Sequence, residues 1–138
     1  MSKPETPLLT VDAIILYEPN EIVLIKRKNP PFKGQYALPG GFVDIGETVE
    51  TACIREAKEE TNINVNITQM VGVFSNPERD PRGHTVTIAY LCEPKTKKEK
   101  PQAKDDALEL DIIDLSKIDS LELAFDHKDI IKEAKKLL

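Results

Sequence analysis

The chain has 138 residues and a formal net charge of −5, with 40% hydrophobic and 31% charged residues. This composition excludes general disorder, and the length corresponds to a single domain, 1–138. No apolar run approaches the ~18 residues that a membrane span needs, and residues 1–7 are polar, so we expect a cytoplasmic protein. The negative net charge argues against nucleic-acid binding but allows a local binding site for an anion that includes a metal ion.

Two strands are predicted at the start of the chain, over residues 8–17 and 21–28, with a turn at 18–20 between them. The second strand has an apolar centre and ends in three basic residues. One interpretation is a solvated strand end. The other is that one of the three, for which Arg27 is the favoured residue, contacts a phosphate or ribose of a ligand.

Residues 34–41 form a predicted loop and short strand that ends in two adjacent glycines, Gly40 and Gly41. Glycine permits positive φ and close approach of the backbone to a ligand, which makes Gly41 a candidate substrate contact. The carbonyl group of Gly40 is a candidate metal ligand. The alternative is a tight turn without a binding role.

A helix is predicted from about Thr48 to Thr61, because the Thr48 hydroxyl can cap the first amide groups. Residues three and four apart lie side by side on a helix, so Glu56, Glu59 and Glu60 are predicted to share one narrow sector. Apolar residues occupy that same sector. The three carboxylates are therefore predicted to face the protein, the reverse of an ordinary solvated helix.

Partly buried carboxylates repel each other and lose hydration, so they need a compensating positive charge. Arg55 is expected to compensate one of them at most; it lies four residues before Glu59 and can also reach back to Glu47. Its expected role is to hold the carboxylate geometry. The remaining negative charge predicts a divalent metal ion, and an all-oxygen site suits Mg²⁺ or Mn²⁺.

The spacing of this stretch resembles the signature of the Nudix hydrolase family. Gly41 is followed by five residues, Glu47, seven residues and then the run from Arg55 to Ile63. The sequence departs from the family pattern at Asn62, where the family has Gly, and Asn tolerates a left-handed helix end. The resemblance implies the α/β class, as a Nudix-type α/β/α sandwich with a mixed β-sheet. It also implies that Glu56, Glu59 and Glu60 bind metal, assisted by Gly40.

After the helix, a strand is predicted over residues 62–74, followed by a polar loop over 75–84. One interpretation of the loop is a charged surface connection. The sequence of this loop also resembles the corresponding loop in the ADP-ribose pyrophosphatase branch of the family. That resemblance implies that Arg79 and Arg82 bridge diphosphate oxygens. His84 is interpreted as a structural hydrogen-bonding residue.

The last third of the chain is predicted to contain strands at 85–92 and 104–113 and a closing helix that is capped by Asp126. The lysine-rich segment 94–101 is interpreted as a solvated loop. Cys53 and Cys92 are predicted to be buried free thiols. Three acidic residues late in the chain resemble a segment of the same branch that reaches the active site; they are Asp105, Asp106 and Glu109. The candidates for the general base are these three residues and the glutamates of the helix.

The resemblance implies metal-dependent hydrolysis of a diphosphate linkage, with ADP-ribose giving AMP and ribose 5-phosphate. The alternatives are another nucleotide sugar, a dinucleotide or an oxidised or ordinary nucleoside triphosphate. An alternative of another class is a sensor that binds ADP-ribose without cleaving it. The branch often forms dimers, so a homodimer is also considered.

Overall fold

The computed structural model describes residues 3–104 and 107–138. It contains a mixed β-sheet with helices on both faces, as the sequence predicted. The strands are β1 (Leu8–Glu18), β2 (Glu21–Arg27), β3 (Tyr36–Ala37), β4 (Gly40–Phe42), β5 (Val65–Phe74), β6 (Thr85–Pro94) and β7 (Ala107–Asp114); the helices are α1 (Val49–Thr61), α2 (His127–Lys135) and a 3-10 helix (Leu115–Ser120).

Strand β1 is the centre of the sheet. It pairs in parallel with β6, from Leu8 opposite Thr85 to Ile15 opposite Cys92. Its other edge is shared, because the C-terminal part pairs with β2 and the N-terminal part pairs with β4, both antiparallel. Strand β7 extends the sheet beside β2, and β5 extends it beside β6. The shared edge brings β4, which carries the two glycines, next to the end of β2.

Side chains alternate between the two faces of each strand and so build two apolar layers. Val11, Ala13 and Ile15 of β1 pack with α1 on one face. Ile14 lies in the opposite layer with α2 and the 3-10 helix. The predicted α/β/α sandwich is therefore the observed fold.

The two cysteines lie together in the α1 layer, as free thiols. The Sγ atoms of Cys53 and Cys92 are 3.9 Å apart. The hydrogen bond to Cys92 and burial both raise the pKa of Cys53. The prediction of buried free thiols is confirmed.

Three details differ from the sequence predictions. Strand β5 begins at Val65, because Asn62 ends α1 in a left-handed conformation. The 3-10 helix follows β7 directly and was not predicted. Asp126 occupies the N-cap position of α2, but its carboxylate accepts no hydrogen bond there.

In the part of the chain that the structure describes, no helix is long and apolar enough to cross a membrane.

Candidate active site

Helix α1 carries the acidic half of the site, and both of its ends are fixed by local chemistry. The Thr48 hydroxyl accepts a hydrogen bond from the Thr51 amide at 3.1 Å. At the other end Asn62 adopts φ +63°, and its amide donates to the Lys58 carbonyl at 3.0 Å. This is the left-handed cap for which glycine is usual. Asn62 therefore gives the helix end the expected geometry despite its departure from the family signature.

The glutamates of α1 are not equally inward, which corrects the prediction of one shared buried sector. Glu60 is 7% exposed, and the side chain of Glu56 is 13% exposed, but that of Glu59 is 45% exposed. At about 100° per residue, Glu60 lies about 40° to one side of Glu56 and Glu59 about 60° to the other. Glu59 is thus at the rim of the acidic sector.

Arg55 donates hydrogen bonds to two of the three helix glutamates, whereas the sequence predicted compensation of one at most, and it also reaches back to Glu47 as expected. Its Nε and Nη2 atoms donate to the two oxygens of Glu47 at 3.0 and 2.6 Å. Its Nη1 atom donates to Glu56 at 2.8 Å and to Glu59 at 3.2 Å. The hydrogen bonds from Arg55 lower the pKa of Glu47. Arg55 therefore ties the loop before α1 to the acidic face of the helix.

Burial has the opposite effect on Glu56. Desolvation raises the pKa of its carboxyl group and outweighs the opposing contact with Arg55. A buried carboxylate of this kind gains from a nearby cation, because the cation favours the ionised form. Glu56 is accordingly suited to bind a cation.

The two glycines lie directly against these carboxylates. The Gly40 amide donates to Glu60 Oε2 at 3.1 Å. The N–H and C=O groups of a residue in an antiparallel strand face the same side, so the Gly40 carbonyl also faces α1. A Cβ atom at Gly41 would lie 2.6 Å from the carboxyl carbon of Glu56. A Cβ atom at position 41 would therefore displace the Glu56 carboxylate or β4.

A cleft of about 400 Å³ joins the acidic residues to two arginines. Glu56 and Glu60 lie on one side of it, with Gly40 and Gly41. Residues from the end of β2 and from the 75–84 loop complete its lining, among them Arg27 and Arg82. The cleft therefore presents carboxylate oxygens and guanidinium groups to the same space.

The donor set of the cleft fits a hard divalent cation. Within residues 3–104 and 107–138, no three carboxylate, imidazole or thiol groups converge into a closed metal cage. Mg²⁺ rarely uses such a cage and is usually bound by one or two carboxylates, water and substrate phosphates. Glu56, Glu60 and the Gly40 carbonyl match that requirement, with Glu59 at the rim.

The two arginines of the 75–84 loop have different environments. Arg79 has a side chain that is only 4% exposed. Its Nε and Nη2 atoms donate to Asp126 at 2.9 and 2.6 Å, and its Nη1 atom donates to Thr85 at 2.8 Å. Arg79 thus forms a buried structural ion pair, and its donors are directed at the protein instead of at a diphosphate. This pair also explains why Asp126 does not cap α2.

Arg82 has a half-exposed side chain, with 46% of its surface accessible. Asp80 accepts from its Nε and Nη2 atoms at 3.1 and 2.8 Å. The described residues give Nη1 no protein hydrogen-bond partner, so the guanidinium group retains donors for an anion. Burial alone would raise the pKa of Asp80, but the hydrogen bonds and charge of Arg82 lower it overall.

The late acidic residues do not join the cleft in the described part of the structure. Glu109 pairs in register with Lys26, and its carboxylate lies 3.5 Å from Lys26 Nζ. Lys26 and Arg27 are successive residues of β2 and point to opposite faces. Glu109 is therefore on the face away from Arg27. Asp105 and Asp106 lie outside the described residues.

His84 Nε2 donates a hydrogen bond to the Ser75 carbonyl at 3.0 Å, as expected of a structural residue. Sequence reasoning missed three other residues beside the cleft. Asp12 and His127 form a buried contact of 3.2 Å between Oδ2 and Nε2, and the Phe125 ring lies among the arginines. An acidic residue within the apolar run of β1 was the available signal for Asp12. For Phe125, the available signal was the resemblance of residues 123–127 to the ADP-ribose pyrophosphatase branch of the family.

Comparison with known proteins places this geometry in a family. A family model described as NUDIX domain matches residues 6–134. The ADP-ribose pyrophosphatase of Methanocaldococcus jannaschii is 50% identical over 127 residues, which are 92% of this chain and 72% of that protein. The ADPR responsive transcriptional repressor NtrR of Acinetobacter baylyi is 36% identical over 94% of this chain, which spans 53% of that protein.

A solved structure shows the same fold. The NUDIX domain of Shewanella oneidensis NrtR, crystallised in complex with ADP ribose, has a TM-score of 0.83 and 28% identity. The match covers 96% of this chain and 89% of that chain. With its helix α1, its glycine-lined cleft and a family match over nearly all of its length, this chain belongs to the NUDIX domain family.

Proposed function

We propose that this Nudix pyrophosphohydrolase cleaves the diphosphate linkage of ADP-ribose and releases AMP and ribose 5-phosphate. The observation that carries the proposal is the cleft in which Glu56 and Glu60 face Arg27 and Arg82. A diphosphate is an anion that guanidinium groups and a carboxylate-bound cation can bind from opposite sides. The choice of ADP-ribose is supported by the name of the Methanocaldococcus jannaschii relative.

Nudix hydrolases generally use a divalent metal ion, and we propose Mg²⁺ or Mn²⁺ here. Glu56, Glu60 and the Gly40 carbonyl would hold it, and Glu59 would reach it from the rim. When bound, such an ion neutralises phosphate charge and lowers the pKa of a coordinated water molecule.

The other residues bind and orient. Glu47 fixes Arg55, and Arg55 in turn fixes the carboxylate of Glu56. Gly41 allows the substrate to approach the backbone, because it leaves no side chain in the cleft. Arg27 and Arg82 bind phosphate oxygens and thereby neutralise charge as it develops.

In the proposed reaction, the oxygen of a water molecule attacks one phosphorus atom and the bond from that phosphorus to the bridging oxygen breaks. The bridging oxygen leaves with the other phosphate, and the proton of the water passes to a carboxylate. The helix glutamates and the predicted residues Asp105 and Asp106 remain the candidates for that proton acceptor. Glu109 is not assigned this role, because it faces Lys26.

A substrate panel with Mg²⁺ tests the proposal. ADP-ribose, sugar nucleotides, dinucleoside polyphosphates and nucleoside triphosphates are incubated with the protein, and the release of AMP and phosphate is measured. We expect ADP-ribose to be the preferred substrate by kcat/KM. A higher kcat/KM for another member of the panel would reassign the substrate.

A sensor that binds ADP-ribose without cleaving it is the second candidate, and the similarity to the ADPR responsive repressor favours it. The two candidates differ in one measurement, because a sensor binds ADP-ribose in a calorimetric titration but releases no AMP with Mg²⁺ or Mn²⁺.

The single domain, the homodimer and the cytoplasmic location remain predictions.

A further inference from the structure

A short segment outside the Nudix signature contacts several parts of the cleft. In residues 124–127, the Ala124 amide donates to the Tyr36 carbonyl at 2.8 Å. Asp126 binds Arg79 at the base of the 75–84 loop. His127 Nδ1 accepts from the Leu38 amide at 2.9 Å, two residues before Gly40. The segment therefore connects β3, the glycine loop and the arginine loop, and Phe125 lies at its centre.

Phe125 has an unusual backbone. Its φ angle is +55°, and that of Phe32, whose ring it contacts, is +61°. The two ring centroids are 4.9 Å apart in an edge-to-face arrangement. Bulky residues rarely adopt this left-handed conformation, and such strained residues cluster at functional sites. A strained aromatic pair beside the cleft calls for a role that a small residue would not fill.

The guanidinium groups of two arginines lie over the Phe125 ring. The central carbon of Arg27 lies 5.0 Å from the ring centroid, and that of Arg82 lies 5.6 Å from it. Arg82 is also 5.6 Å from the Phe42 ring. Arginine stacks on aromatic faces through cation–π attraction, which restricts the plane of the guanidinium group. One ring thus orients cations that arrive from two separate segments.

Two guanidinium groups on one ring repel each other unless an anion lies between them. Each group has an anchor at its base, because Arg27 Nε donates to the Pro31 carbonyl at 2.7 Å and Arg82 binds Asp80. Both side chains line the cleft beside Gly40 and Gly41. Two fixed cations of this kind match the two adjacent phosphates of a diphosphate.

We propose that Phe125 is a positioning residue that holds Arg27 and Arg82 as a clamp for the substrate diphosphate. The inference rests on the proposed function for its substrate, and it names a residue that determines affinity for it. Phe125 acts through the arginines, and its own ring does not need to touch the reacting atoms.

The test compares Phe125→Leu, which keeps apolar volume but removes the π face, with Phe125→Tyr, which keeps the π face. Phe74→Leu is the matched control, since Phe74 lies in the α2 layer and has no cation–π contact among the described residues. We expect Phe125→Leu to raise KM for ADP-ribose on the order of 10-fold with kcat nearly unchanged, and Phe125→Tyr to restore it. Phe125→Gly, which accepts positive φ without strain, provides a second ring-free variant if the leucine variant does not fold.

Binding of ADP, measured by calorimetric titration, provides a readout that does not depend on turnover. We expect the affinity for ADP to fall on the order of 10-fold in Phe125→Leu and to stay at the wild-type value in Phe74→Leu. In an Arg27→Ala, Arg82→Ala background, removal of the ring should have no further effect.

The outcomes separate the two proposals. If the wild-type protein cleaves ADP-ribose and Phe125→Leu matches Phe74→Leu in KM and in ADP affinity, the clamp is wrong and the proposed function stands. If ADP-ribose is not cleaved but Phe125→Leu weakens ADP binding and tyrosine restores it, the proposed function is wrong and the clamp stands. A wild-type protein that binds no ADP, or an undiminished ring effect in the double-alanine background, would overturn the clamp.

Discussion

The two halves of the cleft are built in different ways. The acidic half comes from one continuous stretch, in which β4, a turn and α1 follow each other in sequence. The basic half combines Arg27 from β2, Arg82 from a loop and Phe125 from the segment before α2. The acidic half is fixed mainly by local contacts such as the Arg55 network. The basic half depends on tertiary packing, so changes far from the cleft can alter it.

The acidic half should show the largest effect on chemistry. Glu60→Gln removes a charge that binds metal in the proposed mechanism while preserving the shape of the side chain. We expect kcat for ADP-ribose to fall about 10³-fold with little change in thermal stability. Glu50→Gln, on the exposed face of the same helix, is the control and should retain wild-type activity. Near-normal turnover in Glu60→Gln would remove this residue from the proposed metal site.

The largest effect on stability should come from Arg79, which supports the basic half by joining the 75–84 loop to Asp126. Arg79→Ala leaves Asp126 as a partly buried carboxylate without its guanidinium partner. We expect a loss of about 3 kcal/mol in the free energy of unfolding, measured by urea denaturation. Arg79→Lys keeps the charge but not the paired geometry and should lose less. Loss of activity without loss of stability in Arg79→Ala would instead restore this residue as a direct substrate contact.

Gly41→Ala tests how closely the acidic half is packed. The added Cβ would lie 2.6 Å from the Glu56 carboxyl carbon, so either the strand or the carboxylate must move. We expect kcat/KM to fall roughly 10- to 100-fold, as is typical when a catalytic group is displaced by about 1 Å. Gly72→Ala is the matched control, because its Cβ would meet only the Phe74 ring at 3.5 Å. Equal activity of the two variants would contradict the close contact.

Arg82→Ala tests the exposed end of the basic half. Its loss leaves the buried carboxylate of Asp80 without its guanidinium partner, so we expect a lower unfolding temperature as well as a loss of activity. We expect kcat/KM for ADP-ribose to fall about 10-fold through the loss of a charge-assisted contact to phosphate. Arg82→Lys should recover part of the loss, since it restores the charge without the planar fork. A kcat/KM equal to that of the wild type would remove Arg82 from the substrate site.

Asp80 should give the smallest effect, a contribution to stability that is present near neutral pH and lost in acid. Its pKa in the folded protein lies below the ordinary value of 3.8. Ionised Asp80 therefore adds stability above about pH 4, and this stability is lost as pH falls through the lowered folded pKa. We expect the difference in unfolding free energy between wild type and Asp80→Asn to shrink from pH 6 to pH 2. Asp119→Asn, at an exposed position, is the control. If the difference in unfolding free energy between wild type and Asp80→Asn stays constant with pH, the ionisation of Asp80 does not contribute to stability.

The contrast between the halves also explains what the sequence could predict. Helix α1, its Thr48 cap and its left-handed end at Asn62 follow from local propensity and spacing, and each is observed. The arginines of the 75–84 loop looked alike, because the burial of Arg79 depends on Asp126, which is 47 residues away. Contacts at that separation depend on the register of the whole sheet.

The sequence pattern also could not predict how deeply each glutamate of α1 is buried. Helical periodicity placed Glu56, Glu59 and Glu60 together, but how far each one is buried depends on where β4 crosses the helix. Gly40 contacts Glu60 and Gly41 approaches Glu56, whereas Glu59 lies beyond the strand. Positive φ at Phe125 was equally hidden, because phenylalanine is not a residue that usually indicates a turn.

The Arg55 network has a consequence for the stability of the fold. Its guanidinium group lies between Glu47, Glu56 and Glu59. Repulsion within this part of the acidic cluster is therefore reduced by the polypeptide itself. We therefore expect a chelator of divalent cations to lower the unfolding temperature less than it lowers the proposed activity.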